Sequence, residues 1–384
     1  MSLHAPTVVG VVTLVTWGYL VFGRGRFWSV RLRNPAPLRT RPRIAAIVPA
    51  RNEAEVVGRA VKSLLQQASV DLHMYLVDDN SSDGTAEVAR SVGRQERLTV
   101  IQGKPLPAGW TGKVWAMQQG LKAALPGKPD FLLFTDSDIE HEPGNIANLA
   151  RIAKEDSLDL ASFMVRLHCE TVPEKLLIPA FVFFFFKLYP PRWIADPANA
   201  TAGAAGGCIL IRPEALVRAG GLEQIKGEII DDCSLARAVK RSGGKIWLGL
   251  SDNAQSIRPY PTFASIGRMI SRTAFNQLDH SVLLLFIAFL GLLFTYIAPL
   301  AVMVSSIPAA MLAGGIAFTL MMIAYLPMVR FYRLNPLWAL TLPIAAMFYL
   351  AATMNSAVEY WLGRGGQWKG RAQDQASAGA THAR

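Results

Sequence analysis

The chain has 384 residues, a formal net charge of +11 and 51% apolar residues, with a positive mean hydropathy of +0.26. This combination excludes a disordered chain and an ordinary soluble basic protein. The three cysteines, Cys169, Cys208 and Cys233, form no CxxC pair. Their spacing argues against a disulfide scaffold and a cysteine zinc cluster, and it favours a reducing compartment.

The first predicted element is a membrane anchor at residues 1–22. Ala5 to Phe22 contains no charged residue, and the arginines that follow it without an intervening acid are Arg24, Arg26, Arg31, Arg33, Arg39, Arg41 and Arg43. An apolar span followed by basic residues predicts that its C-terminal side faces the cytoplasm. We interpret residues 23–43 as a basic juxtamembrane linker against lipid headgroups and expect no nucleic-acid partner; a solvated linker and a nucleic-acid patch are the alternatives.

Residues 44–280 have the mixed composition of a packed domain. Short apolar strands alternate there with helices; the strands are predicted at Ile44–Pro49, Met74–Val77, Thr99–Gln102 and Phe131–Thr135, and the helices at Val56–Gln67 and from Ala86 and Val114. This alternation predicts an α/β fold with a mostly parallel, Rossmann-like sheet covered on both faces. Ligands of such sheets bind beyond the carboxyl ends of the strands.

Polar loops follow three of these strands, at Pro49 to Glu55, at Asp78 to Thr85 and at Asp136-Ser137-Asp138. Helix capping or turn formation explains each loop alone, but their recurrence at equivalent positions predicts a single crevice. Carboxylates at Asp136 and Asp138 can coordinate Mg²⁺ or Mn²⁺ together with water and phosphate oxygens. A bound cation would also relieve the repulsion between the two acids.

Two later motifs are candidates for the same crevice. Gly206 and Gly207 belong to a glycine-rich segment that lets the backbone approach a bulky ligand, or that merely bends into a strand. Asp231 and Asp232 precede a helix, where they are either N-terminal capping residues or a general base that takes a proton from an acceptor hydroxyl.

Two cations and one apolar segment complete the domain. Lys113 and Arg272 are candidate diphosphate contacts, with surface charge as the alternative for each. Leu176 to Leu188 includes four consecutive phenylalanines and is too short to span a bilayer. We interpret residues 176–193 as an interfacial helix, with a buried core helix as the alternative.

The long uncharged stretches within residues 281–360 predict transmembrane helices. Ser281 to Val329 is uncharged and long enough for two helices broken near Ser305 to Pro308, and a third uncharged stretch runs from Leu334 to Val358. Arg330 and Arg333 place the loop before the third stretch inside. Three spans would leave the tail, residues 361–384, outside although it is basic, so either one segment is re-entrant or the tail crosses despite its charge.

The order of these motifs resembles a family 2 membrane glycosyltransferase with a GT-A fold. Within that family the layout and the segment RTAFNQLDHS are most similar to the bacterial hopanoid-biosynthesis-associated glycosyltransferases, and more distantly to ceramide glucosyltransferase. The Q-x-x-R-W motif of the family has no full counterpart, because the corresponding stretch from Arg268 to Thr273 has no tryptophan. The departure argues against processive polysaccharide synthesis.

The resemblance implies roles for residues that match the family motifs. The positions similar to nucleotide-binding ones are Ala50, Arg51, Glu53, Asp78 and Asp79. Asp136 and Asp138 look like the metal pair, and Lys113 and Arg272 like diphosphate contacts. Asp232 resembles the base of the family's Glu-Asp motif, in which Asp231 takes the place of Glu. Gly206 and Gly207 are the expected acceptor-side residues.

The expected function is inverting, metal-dependent transfer of a sugar from a nucleotide diphosphate sugar, with UDP favoured, to a lipid acceptor. The expected location is the bacterial inner membrane, with the catalytic domain cytoplasmic. A polyprenyl-phosphate glycosyltransferase, a nucleotidyltransferase and a catalytically silent nucleotide-binding scaffold are the alternatives. A transporter is disfavoured because the long apolar stretches contain no ionisable residue.

Overall fold

The computed structural model describes residues 5–30, 32–33, 38, 40–92, 96–363, 367–368 and 371–372. The chain divides into two compact units. The helical unit comprises Met1–Val30, Cys169–Arg192 and Pro259–Gly365, and the sheet unit comprises Arg31–His168, Trp193–Arg258 and Gly366–Arg384. Two stretches of the predicted 44–280 domain, 169–192 and the residues from Pro259 onward, therefore group with the terminal helices. Arg31, Arg39 and most of the basic tail lie outside the described residues.

The elements follow one another in the order that the hydrophobic pattern predicts, with longer strands than expected. The strands are β1 Arg43–Ala50, β2 Asp71–Asp78, β3 Leu98–Gln102, β4 Phe131–Phe134, β5 Ile139–His141, β6 Leu160–Arg166, β7 Ile209–Ile211, β8 Ile246–Ser256, β9 Gln367–Trp368 and β10 Arg371–Ala372. The α-helices are α1 Ala5–Gly18, α2 Ala54–Leu65, α3 Thr85–Val92, α4 Gly112–Ala124, α5 Asn145–Glu155, α6 Val172–Leu188, α7 Pro191–Ala195, α8 Pro213–Arg218, α9 Asp231–Arg241, α10 Phe263–Ser271, α11 Val282–Leu292, α12 Ala298–Met303, α13 Pro308–Phe331 and α14 Leu342–Trp361.

The sheet unit is built on an eight-stranded sheet with the order β3-β2-β1-β4-β7-β6-β8-β5. The pairs β1–β2, β1–β4, β2–β3 and β6–β8 are parallel, which confirms the α/β class. The pairs β4–β7, β6–β7 and β5–β8 are antiparallel. The sheet is therefore parallel over its first half and mixed over its second, where no strand–helix alternation is visible in the sequence.

Burial explains why the first strands and helices form. In β1 every residue after Arg43 is buried, as expected of a strand with helices on both faces. Helix α2 buries Val57, Val61 and Leu64 on one face, the helical spacing seen in the sequence. These side chains belong to the main apolar core of the unit. Each such burial contributes about 1.5–3 kcal/mol relative to exposure.

The strand register brings the polar loops to one edge. Ala50 of β1 pairs with Asp78 of β2, and Asp78 pairs with Gln102 of β3. On the other side of β1, Ile47 pairs with Phe134, the last residue of β4. Because these strands are parallel, the loops that follow them leave the sheet on the same side.

The helical unit contains helices long and apolar enough to cross a membrane, judged by length and composition. They are Ala5–Gly23, Val282–Met303, Pro308–Phe331 and Pro336–Trp361. The interruption expected near Ser305 to Pro308 separates the second from the third. The sidedness of these helices and the course of the tail stay predictions.

Helix α6 carries the phenylalanine run and is longer than the predicted 176–188 segment. Thr171 and Glu174 form a capping box at its N-terminus. Phe183 packs against Tyr325, with ring centroids 5.1 Å apart, and Phe184 packs against Tyr349 at 5.0 Å. These contacts with α13 and α14 favour the buried-helix alternative, and the interfacial location stays a prediction.

Candidate active site

The loops after β1 and β2 hold each other in place. Asn52, with a φ of 51°, donates its backbone N–H to Ser81 Oγ at 2.9 Å. The Thr85 hydroxyl accepts the Glu53 N–H at 2.8 Å, and the carboxylate of Asp83 accepts the Ala54 N–H at 3.0 Å. Asn52 and Asp83 thus have the turn-forming role that was the alternative to a functional one. We call this pair of segments, residues 51–54 and 79–85, the braced loops.

The predicted donor-binding residues of the braced loops lie side by side. Arg51 Nη1 is 2.5 Å from the carbonyl oxygen of Asp79 and 3.6 Å from its Oδ2. Asp78 and Asp79 are both buried, and Asp78 Oδ1 accepts the N–H of Ser81 at 3.3 Å. Ala50 is the last residue of β1 and is fully buried. The structure therefore brings these residues together, and their contact with a nucleotide stays a prediction.

A second group of predicted residues converges on Lys113, the second residue of α4. Lys113 Nζ lies 2.9 Å from Asp136 Oδ1 and 3.3 Å from Asp231 Oδ2. Burial alone would lower the pKa of Lys113, but the carboxylates of Asp136, Asp231 and Asp232 hold it above its ordinary value. Lys113 is therefore a permanent cation in a cluster of acids.

Asp232 has the environment of a general base. Its Oδ2 accepts the backbone N–H of Gly206 at 2.8 Å, and its Oδ1 accepts the N–H of Cys233 at 2.7 Å. Burial raises the pKa of Asp232 to about 6, with a further contribution from the charge of Asp231 and opposition from Lys113. A carboxylate that titrates near 6 is ionised at neutral pH and accepts a proton more readily than an exposed aspartate.

The two predicted acceptor-side glycines have different surroundings. A Cβ added at Gly206 would lie 3.3 Å from Lys113 Nζ, 3.4 Å from Asp232 Oδ2 and 3.7 Å from Asp136 Oδ2. Gly206 thus borders the charged cluster. A Cβ at Gly207 would instead lie 3.0 Å from Val165 Cγ2, so packing explains that glycine. The acceptor role of both residues stays a prediction.

Arg258 belongs to the site although the sequence did not single it out. It follows β8, and the backbone N–H of Ile257 donates to the carbonyl oxygen of Asp138 at 2.9 Å. Arg258 Nε lies 3.0 Å from Asp138 Oδ2, and its Nη2 forms an ion pair with Glu53 Oε2. Its sequence surroundings carry no motif; the available signal is an arginine two residues after the end of a strand.

The acids of the site fit a divalent cation. Burial raises the pKa of Asp138, and so does the carboxylate of Asp136, while Arg258 opposes the shift. Within the described residues no three His, Cys, Asp or Glu side chains form a metal-binding group. Mg²⁺ is usually held by one or two carboxylates and completes its shell with water and substrate phosphates. A pair of acids is therefore sufficient, and Asp136 and Asp138 would supply it.

Arg272 lies in the helical unit, where it caps the C-terminus of α10 and donates its backbone N–H to the carbonyl of Arg268 at 3.1 Å. Its proposed contact with a diphosphate is not tested by this position.

Part of the chain is similar to a known family. Residues 45–218 match the model of the family described as Glycosyl transferase family 2. The match covers the braced loops, Lys113, the Asp136–Asp138 pair and both glycines, and it ends before Asp231.

Two curated relatives are similar to part of this chain. A 4,4'-diaponeurosporenoate glycosyltransferase from Staphylococcus haemolyticus is 32% identical over 138 residues, 36% of this chain and 34% of the relative. Its namesake from Staphylococcus aureus strain USA300 is 35% identical over 97 residues, 25% of this chain and 24% of the relative. The matches thus span less than half the length of these relatives.

The mannosyltransferase PcManGT from Pyrobaculum calidifontis, solved with GDP-Man and Mn²⁺, aligns over 92% of this chain and 99% of its own. The TM-score is 0.53 at 18% identity, a likeness that concerns the fold. The predicted GT-A fold class, flanked by apolar helices, is confirmed.

Proposed function

We propose that this chain is a family 2 glycosyltransferase that transfers a sugar from a nucleotide diphosphate sugar to a lipid acceptor, with inversion and with the help of a divalent cation. The observation that carries the proposal is the convergence of Lys113, Asp136, Asp231 and Asp232 at the carboxyl edge of the sheet. The group combines a cation for a diphosphate, a candidate metal ligand and a base.

The leaving group is a nucleoside diphosphate, whose negative charge grows as the glycosidic bond breaks. Lys113 is partly buried among carboxylates and keeps its charge, so it would stabilise a β-phosphate oxygen. Mg²⁺ or Mn²⁺ held by Asp136 and Asp138 would supply Lewis-acid stabilisation of the same diphosphate. Arg272 is the further cation that the family resemblance assigns to this role.

Asp232 would accept the proton of the acceptor hydroxyl as that oxygen attacks the anomeric carbon. The N–H groups of Gly206 and Cys233 hold both carboxylate oxygens and fix the orientation of the base. General-base assistance is worth about 10²–10⁴-fold in rate. Asp231 contacts Lys113 and would position the Lys113 side chain rather than take the proton.

The apolar helices support a lipid acceptor. Helices long enough to span a bilayer lie on both sides of the sheet unit in the sequence, and two relatives are named for 4,4'-diaponeurosporenoate, a lipid-like carotenoid. We propose a hopanoid-related or sphingolipid-like acceptor, reached at the cytoplasmic face of the bacterial inner membrane. The arginines that follow the first span, Arg24 and Arg26 among them, support this orientation.

The test is a product analysis with purified protein in nanodiscs. UDP- and GDP-sugars are offered with Mn²⁺ or Mg²⁺ and a bacterial lipid extract, and nucleotide release and new lipids are followed by mass spectrometry. We expect a glycolipid and a nucleoside diphosphate, both abolished by a chelator. Release of pyrophosphate would identify a nucleotidyltransferase. A glycosylated polyprenyl phosphate among the products would show that the acceptor is a polyprenyl phosphate and not a hopanoid-related or sphingolipid-like lipid. Nucleotide binding without any product would favour the catalytically silent nucleotide-binding scaffold.

A further inference from the structure

Arg258 is one of the cations that neutralise the acids of the site. The cluster contains the acids Glu53, Asp136, Asp138, Asp231 and Asp232, and its acids outnumber its cations. Each acid of the Asp136–Asp138 pair already has a cation of the protein within hydrogen-bonding distance. Lys113 is 2.9 Å from Asp136, and Arg258 is 3.0 Å from Asp138.

The Arg258 side chain connects two functions of the site. Its Nε contacts Asp138, the candidate metal ligand, and its Nη2 contacts Glu53, which belongs to the braced loops. The Ser256 hydroxyl also lies 3.4 Å from Asp138 Oδ2, the oxygen that Arg258 contacts. A divalent cation on that oxygen and the guanidinium would compete for the same lone pairs and repel each other.

We propose that Arg258 is a positioning residue that holds Asp138 in the absence of donor. When the divalent cation and the donor bind, the Arg258 guanidinium leaves Asp138 and forms hydrogen bonds with the diphosphate. This inference rests on the proposed function, because it takes the metal to bind at Asp138. A guanidinium suits both partners, since its planar donors match carboxylate and phosphate oxygens alike. Pro259 restricts the backbone of the preceding residue, so the exchange would be a movement of the Arg258 side chain.

The experiment measures Mn²⁺ affinity without a turnover readout. The full chain is titrated with Mn²⁺ alone and followed by electron paramagnetic resonance, and UDP affinity is then measured at saturating Mn²⁺. In Arg258→Gln we expect Mn²⁺ to bind about tenfold more tightly and UDP about tenfold more weakly, which is the scale of one hydrogen bond to a charged group. Arg258→Lys keeps a competing charge and should bind Mn²⁺ like the wild type.

The matched control is Arg218→Gln, which removes an arginine from a 2.6 Å ion pair with Asp159, away from the cluster. It should change neither affinity. Unchanged or weaker Mn²⁺ binding by a folded Arg258→Gln protein would overturn the inference, and so would unchanged UDP binding.

A structure of the wild-type protein with Mn²⁺ and UDP gives an answer that depends on no variant. We expect Arg258 on the diphosphate; Arg258 still bound to Asp138 beside the metal would refute the exchange. Both binding measurements stay informative if no sugar transfer is found, so failure of the proposed function and failure of this inference are distinguishable.

Discussion

Substituting Asp232 by asparagine tests the assignment of the base. Asparagine keeps one side-chain oxygen that can accept the N–H of Gly206, which Asp232 Oδ2 accepts at 2.8 Å, but its NH₂ group cannot accept the N–H of Cys233 as Asp232 Oδ1 does at 2.7 Å. The amide cannot take a proton, and it also removes a partly buried negative charge, whose desolvation raises the pKa of Asp232 to about 6. We therefore expect a loss of about 1 kcal/mol in the free energy of unfolding, the scale of one hydrogen bond, and a fall in turnover of at least about 10²-fold, the lower end of general-base assistance.

The assay is single-turnover sugar transfer with donor saturating, paired with calorimetric binding of the donor nucleotide. Asp231→Asn is the matched comparison, because that residue neighbours the base and contacts Lys113 at 3.3 Å. We expect donor affinity to be retained in Asp232→Asn and turnover to fall more than in Asp231→Asn. Equal turnover in Asp232→Asn and the wild type would refute the reasoning, and a larger loss in Asp231→Asn would move the base to that residue. An ionised phosphate acceptor would also make the loss small, and product analysis separates that case.

Further predictions concern pH, the cluster cation and packing. Because the base must be deprotonated and burial raises the pKa of Asp232 to about 6, kcat/KM should fall as pH drops through about 6. The charge of Asp231 also raises the pKa of Asp232, so in Asp231→Asn this fall in kcat/KM should occur at lower pH. Lys113→Ala should weaken UDP binding and lower turnover by about 10²–10³-fold, as for loss of one preorganised donor, while Lys122→Ala on the same helix should leave both unchanged. Gly207→Ala should cost about 1–3 kcal/mol in the free energy of unfolding, because its Cβ would meet Val165 Cγ2 at 3.0 Å, and an unaltered urea midpoint would contradict that packing.

The sequence was informative wherever local pattern and function coincide. Apolar strands ending in polar loops predicted the parallel half of the sheet and the edge where Lys113, Asp136 and Asp232 meet. The antiparallel strands β5 and β7 have three residues each, too short for a periodicity to be recognised. Their pairing partners lie far along the chain, so only the folded structure reveals them.

Arg258 shows the same limit within the site. It lies 120 residues from Asp138 and 205 from Glu53 in the sequence, and no motif surrounds it. Gly207 shows the opposite case, since its motif suggested a ligand contact and its neighbours supply a packing reason. Residue type and spacing identify which groups can do chemistry, whereas tertiary contacts decide which groups neutralise them.

The hydrogen bonds between the braced loops also bear on how a donor would be recognised. Ordering a loop costs about 1–2 kcal/mol per residue in backbone entropy. Here Asn52, Asp83 and Thr85 meet that cost when the chain folds, because their bonds lie within the protein. A nucleotide would therefore meet a pocket already shaped for it, and its affinity would reflect direct contacts with little loss for loop closure. Small fragments such as uridine or UMP should then show measurable binding on their own, and their affinities would report the separate contributions of base, ribose and phosphate.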